Sequence, residues 1–157
     1  MTTSAPAAPD GNALPRGIRN NNPCNLRPNN TAWQGLVGTD TGGGQGAYLK
    51  FASMVFGVRA GAKVLISYQK NHGIRTLLGI FTRWAPASDH NDPASYAGFV
   101  AEELGVKPGS DIDIAQPRVL AALLRAIIRM ENGAPPAPIG QWVAEATIEA
   151  GIQLALA

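Results

Sequence analysis

Apolar residues recur every three or four positions through most of the second half of this chain, and every second position over one short stretch of the first half. The alternating stretch is Ala47, Leu49 and Phe51 against Tyr48 and Lys50. That is strand periodicity, with one face buried and one wet. Trp33–Val37 is its natural partner, and the glycine-rich TDTGGGQG between them predicts a small β-hairpin with a mobile tip. Helical spacing takes over after Gly57, where Val58, Ala62, Leu65 and Tyr68 or Gln69 share a face and Gly73 stops the run. A second helix is predicted over Thr76–Trp84, with Leu77, Ile80, Phe81 and Trp84 inward and Pro86 ending it. Asp92 as N-cap and Pro93 as first helical residue open a third, whose apolar face is Tyr96, Phe99, Val100 and Leu104 and whose stop is Gly105. The broadest apolar face follows Pro117, where Val119, Leu120, Leu123, Leu124, Ile127 and Ile128 place residues 117–131 at the centre of the fold. A last helix is predicted from about Gln141 to Glu149, with Gly151 beyond it. The fold class is therefore mainly α with a small β-hairpin.

Composition narrows this picture. Residues 1–15 are rich in Ala, Pro, Ser and Thr and read as a disordered leader, leaving 16–157 as one domain. With 45% hydrophobic and 15% charged residues over its 157 residues, the chain can fill a core. The net charge of +2 is scattered, without basic runs, so nucleic acid is not an expected partner. No apolar run is long enough to span a membrane, and the first residues lack the basic and apolar regions of a signal peptide. The protein is expected to be made in the cytoplasm and to be a monomer. Cys24 is the single cysteine, and the two histidines, His72 and His90, lie far apart, so neither a metal site nor a cofactor is expected.

Chemistry has few places to reside. There is no nucleophile elbow, phosphate-binding loop or zinc-protease motif. A Cys24–His pair has no local signature. Glu102 and Glu103 read as solvated, Asp111 and Asp113 as loop residues, and Glu145 and Glu149 as an exposed pair. Glu131 differs because it ends the most apolar helix. A carboxyl held there is partly desolvated, which raises its pKa and keeps it protonated as a general acid. The segment RGIRNNNPCNLR, residues 16–27, is too polar for a core helix and reads as a structured loop. Its amides suit sugar hydroxyls and N-acetyl groups, so Arg19, Asn20, Asn22 and Asn25 are expected to line or brace a cleft near Glu131. Asp89 and Asp92 are the candidate second carboxylates, with Asp92 already assigned to capping.

The opening RGIRNNNPCNLR, then TAWQG, the stretch from Phe51 to Ala60, RWAPASDHNDPASYAGFV and AIIRMENG resemble phage and prophage proteins identified as endolysins or virion structural proteins. Their usual opening is R-G-I-R-N-N-N-P-G-N followed by Ile or Leu and Arg, and Cys24 stands where they carry Gly. If that position needs a positive φ, Cys24 is strained there. A looser resemblance is to the lysozyme superfamily, in which an apolar helix ends in the catalytic Glu and a D-P-x-Y segment lies downstream. Here NPCNLR, YLKF and NDPASY come first and IIRMENG last, an order that suggests a circularly permuted lysozyme-like fold. The resemblance implies an enzyme that cleaves the glycan strands of peptidoglycan as a muramidase or lytic transglycosylase, with Glu131 catalytic and Tyr96 and Asp89 on the substrate. It implies action at the cell wall in the periplasm or within a virion. A non-catalytic virion or tail protein on the same fold is the alternative, and a peptidase of the peptide stems lacks a credible nucleophile or metal.

Overall fold

The computed structural model describes residues 14–85 and 90–157. In chain order the elements are α1 (Arg16–Arg19), β1 (Leu36–Asp40), β2 (Tyr48–Phe51), α2 (Met54–His72), α3 (Leu77–Trp84), α4 (Pro93–Leu104), α5 (Pro117–Asn132) and α6 (Glu145–Leu156). The protein is mainly helical with one two-stranded antiparallel sheet. Among the described residues no helix is long and apolar enough to cross a membrane.

The centre is α5, as its apolar face requires. Leu120, Leu123, Leu124 and Ile127 are fully buried, and each such side chain contributes about 1.5–3 kcal/mol by leaving water. Around it α2 packs on α6 and α3 on α4, and α5 touches α1, α2, α4 and α6. Local sequence sets several boundaries. The Thr76 side chain accepts from the Gly79 amide and starts α3, Asp92 does the same for Ser95 and starts α4, and Gly73 and Gly105 stop their helices with left-handed φ.

Several details depart from the pattern. Arg16–Arg19, expected in a loop, form the short helix α1, and β1 is Leu36–Asp40 where Trp33–Val37 was expected. Helix α2 begins at Met54, a turn ahead of Gly57. Helix α6 runs from Glu145 to Leu156, straight through Gly151. The glycine is there for packing, since a Cβ on Gly151 would lie 2.5 Å from Val58 Cγ1 on α2. Phe99, expected inward on α4, is 64% exposed, while Ala97 and Ala101 fill the buried face beside Val100. Tyr48, expected on the wet face of its strand, is only 7% exposed because two arginines cover it.

The hairpin pairs Leu36 with Phe51 and Asp40 with Tyr48, with a bulge between Leu36 and Gly38. The far edge of β2 is covered by the Asn-rich loop, whose carbonyls at Leu26 and Asn20 accept from the amides of Leu49 (3.0 Å) and Phe51 (2.9 Å). The loop is thereby stitched to the sheet on one side and, through Asn25 and Asn132, to the end of α5 on the other.

Candidate active site

Glu131 sits in the last turn of α5, half-buried. Its two carboxylate oxygens have different donors. Asn25 Nδ2 donates to Oε1 (3.2 Å) and also to the Glu131 backbone carbonyl (3.3 Å). Trp84 Nε1, from the end of α3, donates to Oε2 (3.1 Å). A partly buried indole N–H usually finds an acceptor, and here the acceptor is a carboxylate. Trp84 is braced by Tyr68, with ring centres 6.2 Å apart. Both donors favour the ionised carboxyl, as does the charge of Arg27, but burial outweighs them and holds the Glu131 pKa above its ordinary value.

Asn25 reaches Glu131 because of its backbone. Asn21 (φ 52°) and Asn25 (φ 51°) both adopt the left-handed conformation, which asparagine tolerates better than most residues. Cys24 between them is not among the positive-φ residues, so the strain expected from replacing a glycine does not arise. Its side chain fills a notch at Gly61 on α2, where a Cβ would lie 2.6 Å from the sulfur. Burial, with the nearby Glu131 charge as a smaller contribution, pushes the Cys24 thiol far up from its usual range. A 2% exposed, protonated thiol is packing and no nucleophile. His72 instead faces Arg83, Nε2 lying 3.4 Å from Nη2.

The remaining expected site residues divide. Asn22, fully buried, donates to the carbonyls of Leu26 (3.0 Å) and Leu49 (2.9 Å) and accepts from the Leu26 amide (2.9 Å). Asn20 donates to Asp40 Oδ2 (2.9 Å). Both brace the loop and neither touches Glu131. Arg19 is exposed and its Nε donates to the Leu14 carbonyl (3.1 Å); no bond joins it to Glu131. The Tyr96 ring stacks on Phe81 at 5.7 Å, and its hydroxyl is not among the groups bonded to Glu131. Asp89 lies outside the described residues. Asp92 caps α4, accepting from the Ser95 amide (3.1 Å).

The sequence reading missed Trp84 as a site residue, and it missed a second charged cluster. Asp40 at the end of β1 accepts from Arg16 Nε (2.7 Å), Asn20 Nδ2 (2.9 Å) and the Gly42 amide (2.9 Å). The Arg16 hydrogen bond, helped by those from Asn20 and Gly42, holds the Asp40 carboxyl well below the usual carboxylate range. Arg16 and Arg27 both lie against the Tyr48 ring, 4.5 and 4.6 Å from its centre. Their guanidiniums also hold the carbonyls of Gly46 and Gln45, so the hairpin tip is tied down. Among the described residues no group of three His, Cys, Asp or Glu side chains is placed to hold a metal ion.

A separate pocket of about 210 Å³ is lined by Phe99, Arg125, Arg129, Trp142 and neighbours, but not by Glu131. Beside it Arg125 bridges Glu103 of α4 and Glu145 of α6.

No family model matches the chain. It is 34% identical over 128 residues to Protein P5 of Pseudoalteromonas phage PM2, an alignment covering 80% of this chain and 76% of that protein. At that identity and coverage, the chain belongs to the family of this phage protein.

Proposed function

We propose that this protein is a peptidoglycan glycan-strand cleaving enzyme, of muramidase or lytic transglycosylase type on a lysozyme-like and circularly permuted fold, with Glu131 as its general acid. The observation that carries the reading is the placement of the Glu131 carboxyl. It ends the helix that buries the broadest apolar face, is half-buried, and has a raised pKa despite two neutral donors and the charge of Arg27. Cleaving a glycosidic bond requires a proton on the leaving oxygen, and a carboxyl whose pKa burial raises is suited to supply it. Among the described residues no second carboxylate is bonded to Glu131, which favours chemistry completed by the sugar's own groups over a two-carboxylate retaining mechanism. Kinship with a phage protein fits an agent of lysis or wall penetration.

A specific observation also favours the alternative, a non-catalytic virion component. The Asn25–Glu131 and Asn132–Pro23 bonds fasten the loop to α5, which is a structural task in itself. Purified cell walls decide between them. Wild-type protein should release soluble glycan fragments, identified by mass as cut between sugars. Glu131→Gln, with its helical circular dichroism unchanged, should be slower by roughly 10²–10⁴. A Glu131→Gln variant that clears walls at the wild-type rate removes the acid assignment, and a wild-type protein that cuts no glycan leaves the virion reading.

A further inference from the structure

The loop that brings Asn25 to Glu131 carries a guanidinium two residues later. Arg27 is exposed, yet it is fixed in place. Nη1 donates to the Gln45 carbonyl (2.8 Å), Nη2 to the Tyr48 hydroxyl (3.2 Å), and the guanidinium carbon lies 4.6 Å from the Tyr48 ring centre. The hairpin tip makes room for it: a Cβ on Gly46, whose φ is +89°, would lie 2.8 Å from Nη1. The neighbouring Arg16 has its charge matched by Asp40 at 2.7 Å. Arg27 forms no ion pair among the described residues, although its charge reaches the Glu131 carboxyl. A guanidinium carries five N–H donors in a rigid fork suited to carboxylate oxygens. Two bonds to protein acceptors are made here, so part of the fork is open. Because the side chain is already ordered, binding an anion costs little further conformational entropy.

We propose that Arg27 is a carboxylate-binding subsite beside Glu131, taking a carboxyl group that the wall polymer carries next to the bond being cut. Peptidoglycan offers such groups on its peptide stems and, where stems have been removed, on the lactyl ethers. The proposal rests on the glycan-cleaving reading above and adds a determinant of which strands are preferred: those bearing free carboxyls near the scissile linkage.

The test reads binding without turnover. The full chain carrying Glu131→Gln is co-sedimented with two insoluble preparations, native peptidoglycan and the same material with its carboxyls converted to neutral amides by carbodiimide coupling. Glycan strands freed of their stems by an amidase, which are soluble, are added as competitor to the native material. Amidation should weaken binding about tenfold, the scale of one charge-assisted fork. Adding Arg27→Gln should bring the native-to-amidated ratio close to one, and Arg27→Lys, which keeps the charge and loses the fork, should fall between. Freed strands that compete the parent chain off native walls, but do not compete the Arg27→Gln form, assign the lactyl carboxyl, and freed strands that compete neither assign the stem. An unchanged ratio in Arg27→Gln, or equal binding of native and amidated walls by the parent chain, overturns the subsite. A chain that cleaves walls while ignoring Arg27 refutes only this inference. One that discriminates carboxyls through Arg27 but cuts nothing refutes only the acid.

Discussion

Glu131 and Asp40 each accept a hydrogen bond from an asparagine of the same short loop, Asn25 in one case (3.2 Å) and Asn20 in the other (2.9 Å). Their surroundings push them in opposite directions. Asp40 has a guanidinium at 2.7 Å and a backbone amide at 2.9 Å, and its carboxyl is held strongly ionised. Glu131 has a second neutral donor, the buried face of α5 behind it and no cation bonded to it, only the charge of Arg27 across space, and burial raises its pKa. An amide donor alone therefore does not decide the protonation state. What decides it is whether a contacting cation offsets the loss of water. One loop thus contacts a carboxyl held strongly ionised and a carboxyl whose pKa burial raises.

The largest effect should come from breaking the clamp. Asp40→Ala leaves Arg16, Asn20 and the Gly42 amide without their shared acceptor, and the hairpin tip loses its tie to the loop. Thermal unfolding should occur several degrees lower at neutral pH. The sign with pH follows from linkage. A folded-state pKa below the unfolded one gives stability that is present above the ordinary aspartate range and is lost as pH falls through the folded value. The difference between wild type and Asp40→Ala should therefore be full at pH 7 and shrink only in strong acid. A gap that closes near neutrality instead would show that the Asp40–Arg16 pair is not its source.

A smaller effect tests the acid's side. Asn25→Gly keeps the left-handed backbone and removes the donor to Glu131, so the carboxyl pKa should rise further. If activity needs the protonated form, the alkaline limb of the rate profile should move to higher pH. Asn25→Ala removes the same donor and adds a left-handed penalty of about 1–2 kcal/mol, so it should share the shifted profile and be the less stable of the two. Identical profiles for wild type and Asn25→Gly would detach the amide from the acid's titration.

How much of this was legible in the sequence depends on the distance each feature spans. The period of three and four in residues 117–131, the Asp92–Pro93 start and the Gly73 and Gly105 stops are local signals, and they are where expected. Gly151 misled because a glycine reads as a stop unless its partner is known, and the partner, Val58, lies on α2. Tyr48 misled for the same reason, since alternation places it outward and only Arg16 and Arg27 explain its burial. Glu131 stood out from its own helix, but its partners are 106 and 47 residues away. Asp40 had no local mark beyond preceding a glycine run. The one available clue was the three arginines, Arg16, Arg19 and Arg27, of the Asn-rich segment.

The smallest effect is thermodynamic and separates the two carboxyls most directly. A glutamate whose folded pKa is raised binds protons more tightly folded than unfolded, so folding stability falls as pH climbs from the ordinary glutamate range, about 4.3, through the raised value. At neutral pH ionised Glu131 is thus a modest liability, the reverse of Asp40. Glu131→Gln removes that charge and keeps the volume. Its amide oxygen can accept from Trp84. Its NH₂ group can meet Asn25 Oδ1, which is buried without a partner in this structure, if the Asn25 amide turns over. Unfolding measured from pH 4 to 8 should show Glu131→Gln gaining on wild type by about a degree or two at the upper end, the scale of a fraction of a kcal/mol for a domain of this size. The gain should vanish toward pH 4. Asp40→Asn should do the opposite, losing most where Glu131→Gln gains. Parallel curves for the two variants would mean that both carboxyls are held in the same electrostatic state, and the contrast between clamp and acid would fail.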